Sequence, residues 1–121
     1  MKFTREMAAS LTIRSVSDGV IRIGEDAYDQ TIAMTLNNVI DDWPEKSIAD
    51  LIEDDFAVLF EAAPEVIVLG TGESSIFAPR DLMFAMARRG VGFEVMDTKA
   101  AARTFNVLAG EGRQVAAVLY L

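Results

Sequence analysis

Cysteine and histidine are both missing from this 121-residue chain. Without cysteine there is no disulfide, thiolate nucleophile or cysteine-held iron–sulfur cluster, and without either residue there is no zinc finger. Without histidine there is no Ser–His or Cys–His catalytic pair and no histidine ligand to haem. Acid–base chemistry would have to use Asp, Glu, Lys or Tyr. We predict no cofactor and no catalytic residue.

Long apolar runs are also missing, since no stretch approaches the ~18 residues that a transmembrane helix needs. Residues 1–6 contain neither a long apolar core nor a small-residue cleavage site, so no secretory signal is predicted. We expect a single cytoplasmic domain over residues 1–121, with residues 1–10 less ordered than the rest.

Positive charge is scarce, and the net charge is −8. Residues 1–65 carry five basic and fourteen acidic side chains, whereas residues 66–121 carry six basic and five acidic ones. An acidic chain without a basic stripe is not expected to bind nucleic acid. The neighbouring Asp41 and Asp42 predict no metal site, because a calcium loop needs several ligands at alternating positions and a central glycine.

The chain is organised around residues 66–72, an apolar segment that runs into Gly70-Thr71-Gly72. An apolar run without alternation predicts a strand covered on both faces, as in a parallel sheet. Two consecutive β–α–β units then imply right-handed crossovers and three parallel strands. The elements predicted after this first strand are a helix over 79–89, a strand over 92–96, a helix over 99–109 and a strand over 114–121.

The first half is predicted to form an antiparallel meander over about residues 11–42. Asp18-Gly19 indicates a two-residue hairpin turn, and the alternation from Tyr28 to Leu36 predicts a half-buried strand. A helix over residues 53–62 precedes Pro64. The fold class is therefore α/β, with one mixed sheet in which the meander continues the β-α-β-α-β half over about residues 66–121.

The Gly70-Thr71-Gly72 loop has part of a dinucleotide-binding fingerprint, with Asp97 at the end of the next strand. Ser75 replaces the third glycine, however, and the helix begins too late for its positive end to lie under a pyrophosphate. We therefore predict no dinucleotide. Two interpretations stay open: a turn that needs glycine for its backbone angles, or a small anion or polar ligand held by loop amides.

Polar residues of the last helix provide the remaining candidates. Lys99, Arg103 and Asn106 share one helix face, which is either solvated or partly turned towards a cleft between loops 70–73 and 97–98. The candidate ligand or partner site comprises Gly70, Thr71, Gly72, Asp97, Thr98, Arg103 and Asn106. Trp43, the only tryptophan, is interpreted either as a core residue or as an anchor for a protein partner.

Several motifs of the second half carry a family resemblance. They are Leu69-Gly70-Thr71-Gly72, Arg89-Gly90-Val91-Gly92, Glu94-Val95-Met96-Asp97-Thr98, the segment 101–108 and the segment 111–117. In the first half, Trp43 and the segment 47–51 fit the same pattern. On these motifs the chain resembles a small domain family of long-unknown function, found in bacteria and archaea, that includes the mitochondrial respiratory complex I assembly factor numbered three.

The resemblance implies a three-layer α/β fold with a mixed sheet and no established catalytic activity. It implies a non-enzymatic interaction protein, such as an assembly factor for a membrane or respiratory complex, with a protein partner. We expect a bacterial member, since no mitochondrial targeting segment is present. The alternative from the residues is a small polar-ligand or anion-binding protein, or a weak enzyme, that uses the cleft between loops 70–73 and 97–98. A structural homo-oligomer is the third interpretation.

Overall fold

A computed structural model describes residues 11–121, so the expectation that residues 1–10 are less ordered falls outside the described residues. Within 11–121 the chain forms eight strands and three α-helices. The strands are β1 (Ile13–Ser17), β2 (Val20–Ile23), β3 (Asp26–Tyr28), β4 (Ile32–Met34), β5 (Val39–Ile40), β6 (Val66–Thr71), β7 (Gly92–Met96) and β8 (Val115–Tyr120). The helices are α1 (Ala57–Phe60), α2 (Arg80–Arg89) and α3 (Thr98–Gly110), and 3₁₀ turns cover Ile48–Asp50 and Glu53–Phe56.

A mixed five-stranded sheet in the order β5-β4-β8-β6-β7 forms the centre of the fold. The strand β6 is parallel to both of its neighbours, β7 and β8, and all six of its residues are buried. The strand β8 is in turn antiparallel to β4. The predicted α/β fold with a mixed sheet is thus confirmed, and its centre is the apolar segment from Val66 onward.

The predicted meander divides between two sheets, which differs from the single continuous sheet expected. The strands β1, β2 and β3 form a separate antiparallel sheet, whereas β4 and β5 join the five-stranded sheet. The expected single strand from Tyr28 to Leu36 is interrupted, because β3 ends at Tyr28 and β4 begins at Ile32. The interruption lets Ile32 pair with Leu119 of β8, where its side chain is fully buried.

Two apolar cores lie on opposite faces of the five-stranded sheet, and together they make three layers. On one face, Ala101 and Phe105 of α3 pack with Ile21 of the small sheet against Val68 of β6. On the other face, Phe56 and Leu59 from the segment before β6 pack with residues of α2 against the same sheet. Because both faces are covered, β6 contains no alternating polar residues.

Some helix bounds differ from those predicted. The expected helix over 53–62 is a 3₁₀ turn followed by the single α-helical turn of α1. The residue Pro79 precedes α2 as its N-cap, and Asp97 caps α3, since its Oδ1 accepts a hydrogen bond from the Ala100 amide at 2.9 Å. In the part of the chain described, no helix is long and apolar enough to cross a membrane.

Candidate functional site

A cavity of about 390 Å³ lies at the carboxyl ends of β6, β7 and β8. The turn at Asp18-Gly19 between β1 and β2 forms one of its walls. The other walls come from residues at or just after the ends of the parallel strands: Gly72 and Glu73, Asp97 to Lys99, and Tyr120 with Leu121. We call this space the strand-end cavity. It lies between loops 70–73 and 97–98, where the sequence placed a cleft.

The predicted site residues do not all line this cavity. Gly72, Asp97 and Thr98 line it, whereas Gly70 and Thr71 are buried within β6 beside it. Neither Arg103 nor Asn106 lines it: Arg103 is exposed on α3. The candidate set is therefore divided between the cavity, the strand beneath it and the outer part of α3.

Asn106 holds α3 against β1. Its Nδ2 donates to the Ile13 carbonyl at 2.8 Å, and the Ile13 amide donates to its Oδ1 at 3.0 Å. The Asn106 side chain thus forms the same pair of hydrogen bonds that a neighbouring strand would form, and both backbone groups of the buried Ile13 are satisfied. Asn106 therefore has a structural role that its helix position alone did not indicate.

Thr98 joins the ends of two neighbouring strands at the base of the strand-end cavity. Its hydroxyl accepts from the Gly72 amide at 2.7 Å and donates to the Tyr120 carbonyl at 2.5 Å. Its own amide donates to the Gly72 carbonyl at 2.9 Å. Only 2% of Thr98 is exposed, so its hydroxyl is used in structure and is not free to bind a ligand.

Thr71 organises the loop that follows β6. Its hydroxyl donates to the Ser74 carbonyl at 2.6 Å and accepts from the Ile76 amide at 3.2 Å. The loop therefore turns away from the strand end, which delays α2 until Arg80. Gly72 has a φ of +99°, a backbone conformation that L side chains rarely adopt, so the interpretation of this glycine as a turn residue fits the structure.

Acidic groups dominate the charge around the strand-end cavity. Asp18, Glu73 and Asp97 line it, against the single ammonium group of Lys99. Because like charges repel, this lining favours a cationic or neutral polar ligand over an anion. Within residues 11–121, no group of three or more carboxylates is placed to hold a metal ion.

Tyr120 links the strand-end cavity to Trp43. Burial raises the pKa of the Tyr120 phenol above its ordinary value, while the hydrogen bond from Trp43 opposes that shift. The phenol is therefore neutral at physiological pH. Its oxygen accepts a hydrogen bond from Trp43 Nε1 at 3.3 Å.

Trp43 lies in the core on the α1/α2 face of the sheet. Only 6% of its surface is exposed, and its ring packs edge-to-face on Phe56 with the centroids 5.3 Å apart. This position supports the interpretation of Trp43 as a core residue. Direct contact of Trp43 with a partner stays a prediction.

An exposed apolar surface on the α2 side was not predicted from the sequence. We use the name apolar surface for four exposed residues. Ile76 and Phe77 lie in the loop after β6, and Met83 and Phe84 lie in the first turns of α2. Phe77 is 96% exposed. The helical spacing of the sequence does indicate that Phe84 is exposed, because Phe84 falls on the helix face opposite the buried Leu82, Ala85 and Met86.

Comparison with known proteins identifies relatives over nearly the whole chain. The model of a family described as "Protein of unknown function (DUF498/DUF598)" matches residues 13–120. A human protein named NADH dehydrogenase (ubiquinone) 1 alpha subcomplex assembly factor 3 is 33% identical over 117 residues, which cover 95% of this chain and 63% of that protein. The chain therefore spans less than two thirds of the length of this relative.

Solved structures confirm the fold. A crystal structure of a protein from Bordetella parapertussis is 33% identical, with a TM-score of 0.85 over 94% of this chain and 98% of that one. An outer membrane protein from Bartonella henselae is 28% identical, with a TM-score of 0.79 over 93% of this chain and 95% of that one. The family resemblance drawn from the sequence motifs is thus confirmed.

Proposed function

The chain belongs to the DUF498/DUF598 family of proteins of unknown function, and we propose that it is a non-enzymatic interaction protein that helps to assemble a membrane complex. The name of the human relative, an assembly factor of NADH dehydrogenase, supports this role. NADH dehydrogenase is accordingly the first complex to test. The role requires binding of a protein partner and no catalytic step.

The observation that carries this proposal is the apolar surface. A large aromatic ring such as that of Phe77, 96% exposed, gains nothing from folding and forms no part of either core. Phe84, at 55%, and Ile76, at 48%, are also exposed, the first in α2 and the second in the loop that precedes it. Neighbouring exposed apolar residues are typical of protein contacts, where aromatic side chains contribute much of the binding energy.

The proposal predicts that loss of two aromatic rings weakens binding of the partner while the fold is kept. In the cells from which the chain comes, tagged full-length chain carrying Phe77→Ser and Phe84→Ser should recover about tenfold less of its membrane-complex subunit than wild type does. Quantitative mass spectrometry of the purified material measures this ratio. Unfolding by urea should show a loss of stability of no more than about 1 kcal/mol, because both rings lie at the surface.

The matched control is Val107→Ser, which removes an exposed apolar side chain (58% exposed) from α3, on the opposite face of the sheet. This variant should recover the partner as wild type does. Failure of wild type to recover any stoichiometric subunit of a membrane complex would contradict the proposal. Equal recovery by the double variant would show that the apolar surface is not the contact.

The strand-end cavity supports a second candidate function, the binding of a small polar ligand. It coincides with the predicted cleft, and its lining of three carboxylates and one ammonium group favours a cationic molecule. Native mass spectrometry of chain purified from its own cells should then detect a small adduct. The variant Glu73→Lys should lose this adduct, whereas Glu111→Lys, a charge reversal just after α3, should keep it. Wild-type chain without an adduct would argue against this candidate.

A further inference from the structure

Among residues 11–121, the outer edge of β7 is the longer edge of the five-stranded sheet that no other strand covers. β7 is the last strand in the sheet order and pairs on one side with β6, along all five of its residues. The other edge is β5, which has two residues. A strand at a sheet edge leaves every second backbone amide and carbonyl pointing outwards without a strand partner. We call this line of backbone groups the β7 edge.

The side chains of β7 alternate in character. Phe93 and Val95 are half-buried and pack against the core on the α1/α2 face, where the Phe93 ring lies edge-to-face against Phe56 at 5.9 Å. Glu94 points to the other face and is exposed. No basic side chain within residues 11–121 forms an ion pair with Glu94. The β7 edge thus combines unpaired backbone groups, two apolar side chains and one carboxylate.

We propose that the β7 edge binds an extended segment of a protein partner as an additional strand, with a basic side chain of that segment opposite Glu94. This inference rests on the proposed interaction function and specifies the kind of segment recognised. The segment extends the ladder of backbone hydrogen bonds and places alternate apolar residues beside Phe93 and Val95. Its basic residue complements the single charge of the edge.

The same features argue against a second copy of this chain as the occupant. Antiparallel pairing of two β7 strands over their full length would place Glu94 directly opposite its own counterpart. Like charges directly opposite each other destabilise a strand pair. Two chains with a net charge of −8 also repel one another. The edge therefore favours a partner of opposite charge.

Nuclear magnetic resonance of the full ¹⁵N-labelled chain tests this assignment with two capped ten-residue peptides. One alternates valine with lysine, and the other has glutamate in place of each lysine. The lysine peptide should slow hydrogen exchange of outward-facing amides in residues 92–96 and should bind about fivefold more tightly than the glutamate peptide. Glu94→Lys should reverse this preference. A lysine peptide methylated at alternate backbone nitrogens should not bind, because it cannot form the strand ladder.

Other outcomes would overturn the inference. One is equal affinity for the two peptides. Another is slowed hydrogen exchange only at residues outside β7. A third is a wild-type chain that sediments as a dimer and whose β7 amides exchange slowly before any peptide is added. The cellular experiment separates this inference from the proposed function. If Glu94→Lys retains the membrane-complex subunit that Phe77→Ser with Phe84→Ser loses, the interaction function stands and the β7 edge is not its site. If the lysine peptide binds β7 but no complex subunit is recovered, strand addition stands and the assembly role fails.

Discussion

Replacement of Phe56 by alanine should lower the free energy of unfolding by about 4 kcal/mol. Phe56 lies in the 3₁₀ turn before α1, and its side chain is fully buried in the core on the α1/α2 face of the five-stranded sheet. Its ring lies edge-to-face against Trp43 at 5.3 Å and against Phe93 at 5.9 Å. Truncation therefore removes buried apolar surface, leaves a cavity and breaks two aromatic pairs.

Urea unfolding followed by fluorescence measures this loss, and Trp43, the only tryptophan, reports directly on the site. The matched control is Phe77→Ala, which makes the same chemical change at a ring that is 96% exposed. It should change stability by about 0.5 kcal/mol or less. Similar losses for the two variants would mean that Phe77 is buried in solution, and would remove the observation on which the interaction function depends.

The second half was predicted closely because its signals are local. The strand β6 is apolar from Val66 to Gly70, and such a run predicts a strand covered on both faces without information about distant residues. Gly90 ends α2 with a φ of +73°, and Asp97 caps α3; both are end signals readable from the residues themselves. The strand β7 has the bounds predicted, Gly92 to Met96.

The first half was predicted less well because its arrangement depends on distant contacts. Alternation between Tyr28 and Leu36 shows which side chains share a face, but it does not show which strand will lie alongside. The position of β4 is set by Ile32 pairing with Leu119, far along the chain. Asn106 is a similar case, since its bonds to Ile13 span 93 residues and no pattern within α3 indicates them.

A cleft at this end of the sheet is a prediction that the sequence supports, whereas the roles of its residues needed coordinates. Parallel strands end at a common edge, which is why loops 70–73 and 97–98 could be placed together. Thr98, by contrast, is a polar residue whose hydroxyl is satisfied by Gly72 and Tyr120. Sequence spacing cannot separate such an internal hydrogen bond from a ligand contact.

Gly70 differs from Gly72 in being needed for close packing and not for a turn, which a substitution should test. The backbone of Gly70 is extended within β6, and a Cβ there would lie 2.8 Å from Thr98 Oγ1, 2.9 Å from Thr98 Cα and 3.1 Å from Ala101 Cβ. These atoms belong to the first turns of α3, so the helix packs directly on the bare strand backbone. Gly70→Ala should therefore lower the free energy of unfolding by about 3 kcal/mol, because one methyl group overpacks a contact that includes backbone.

Gly110→Ala provides the matched control, since a Cβ added there meets no atom within 4 Å and Gly110 ends α3. It should be neutral or stabilise the chain by up to about 1 kcal/mol, because alanine favours helix more than glycine does. Both variants are measured by urea unfolding.

If Gly70→Ala were as stable as wild type, α3 would have room to move away from β6. The Thr98 hydroxyl would then no longer have to bind Gly72 and Tyr120, and Thr98 would return to the candidates for ligand contact. A loss of the expected size instead means that Gly70 holds α3 and Thr98 in place, and that a ligand in the strand-end cavity would have to use its acidic wall.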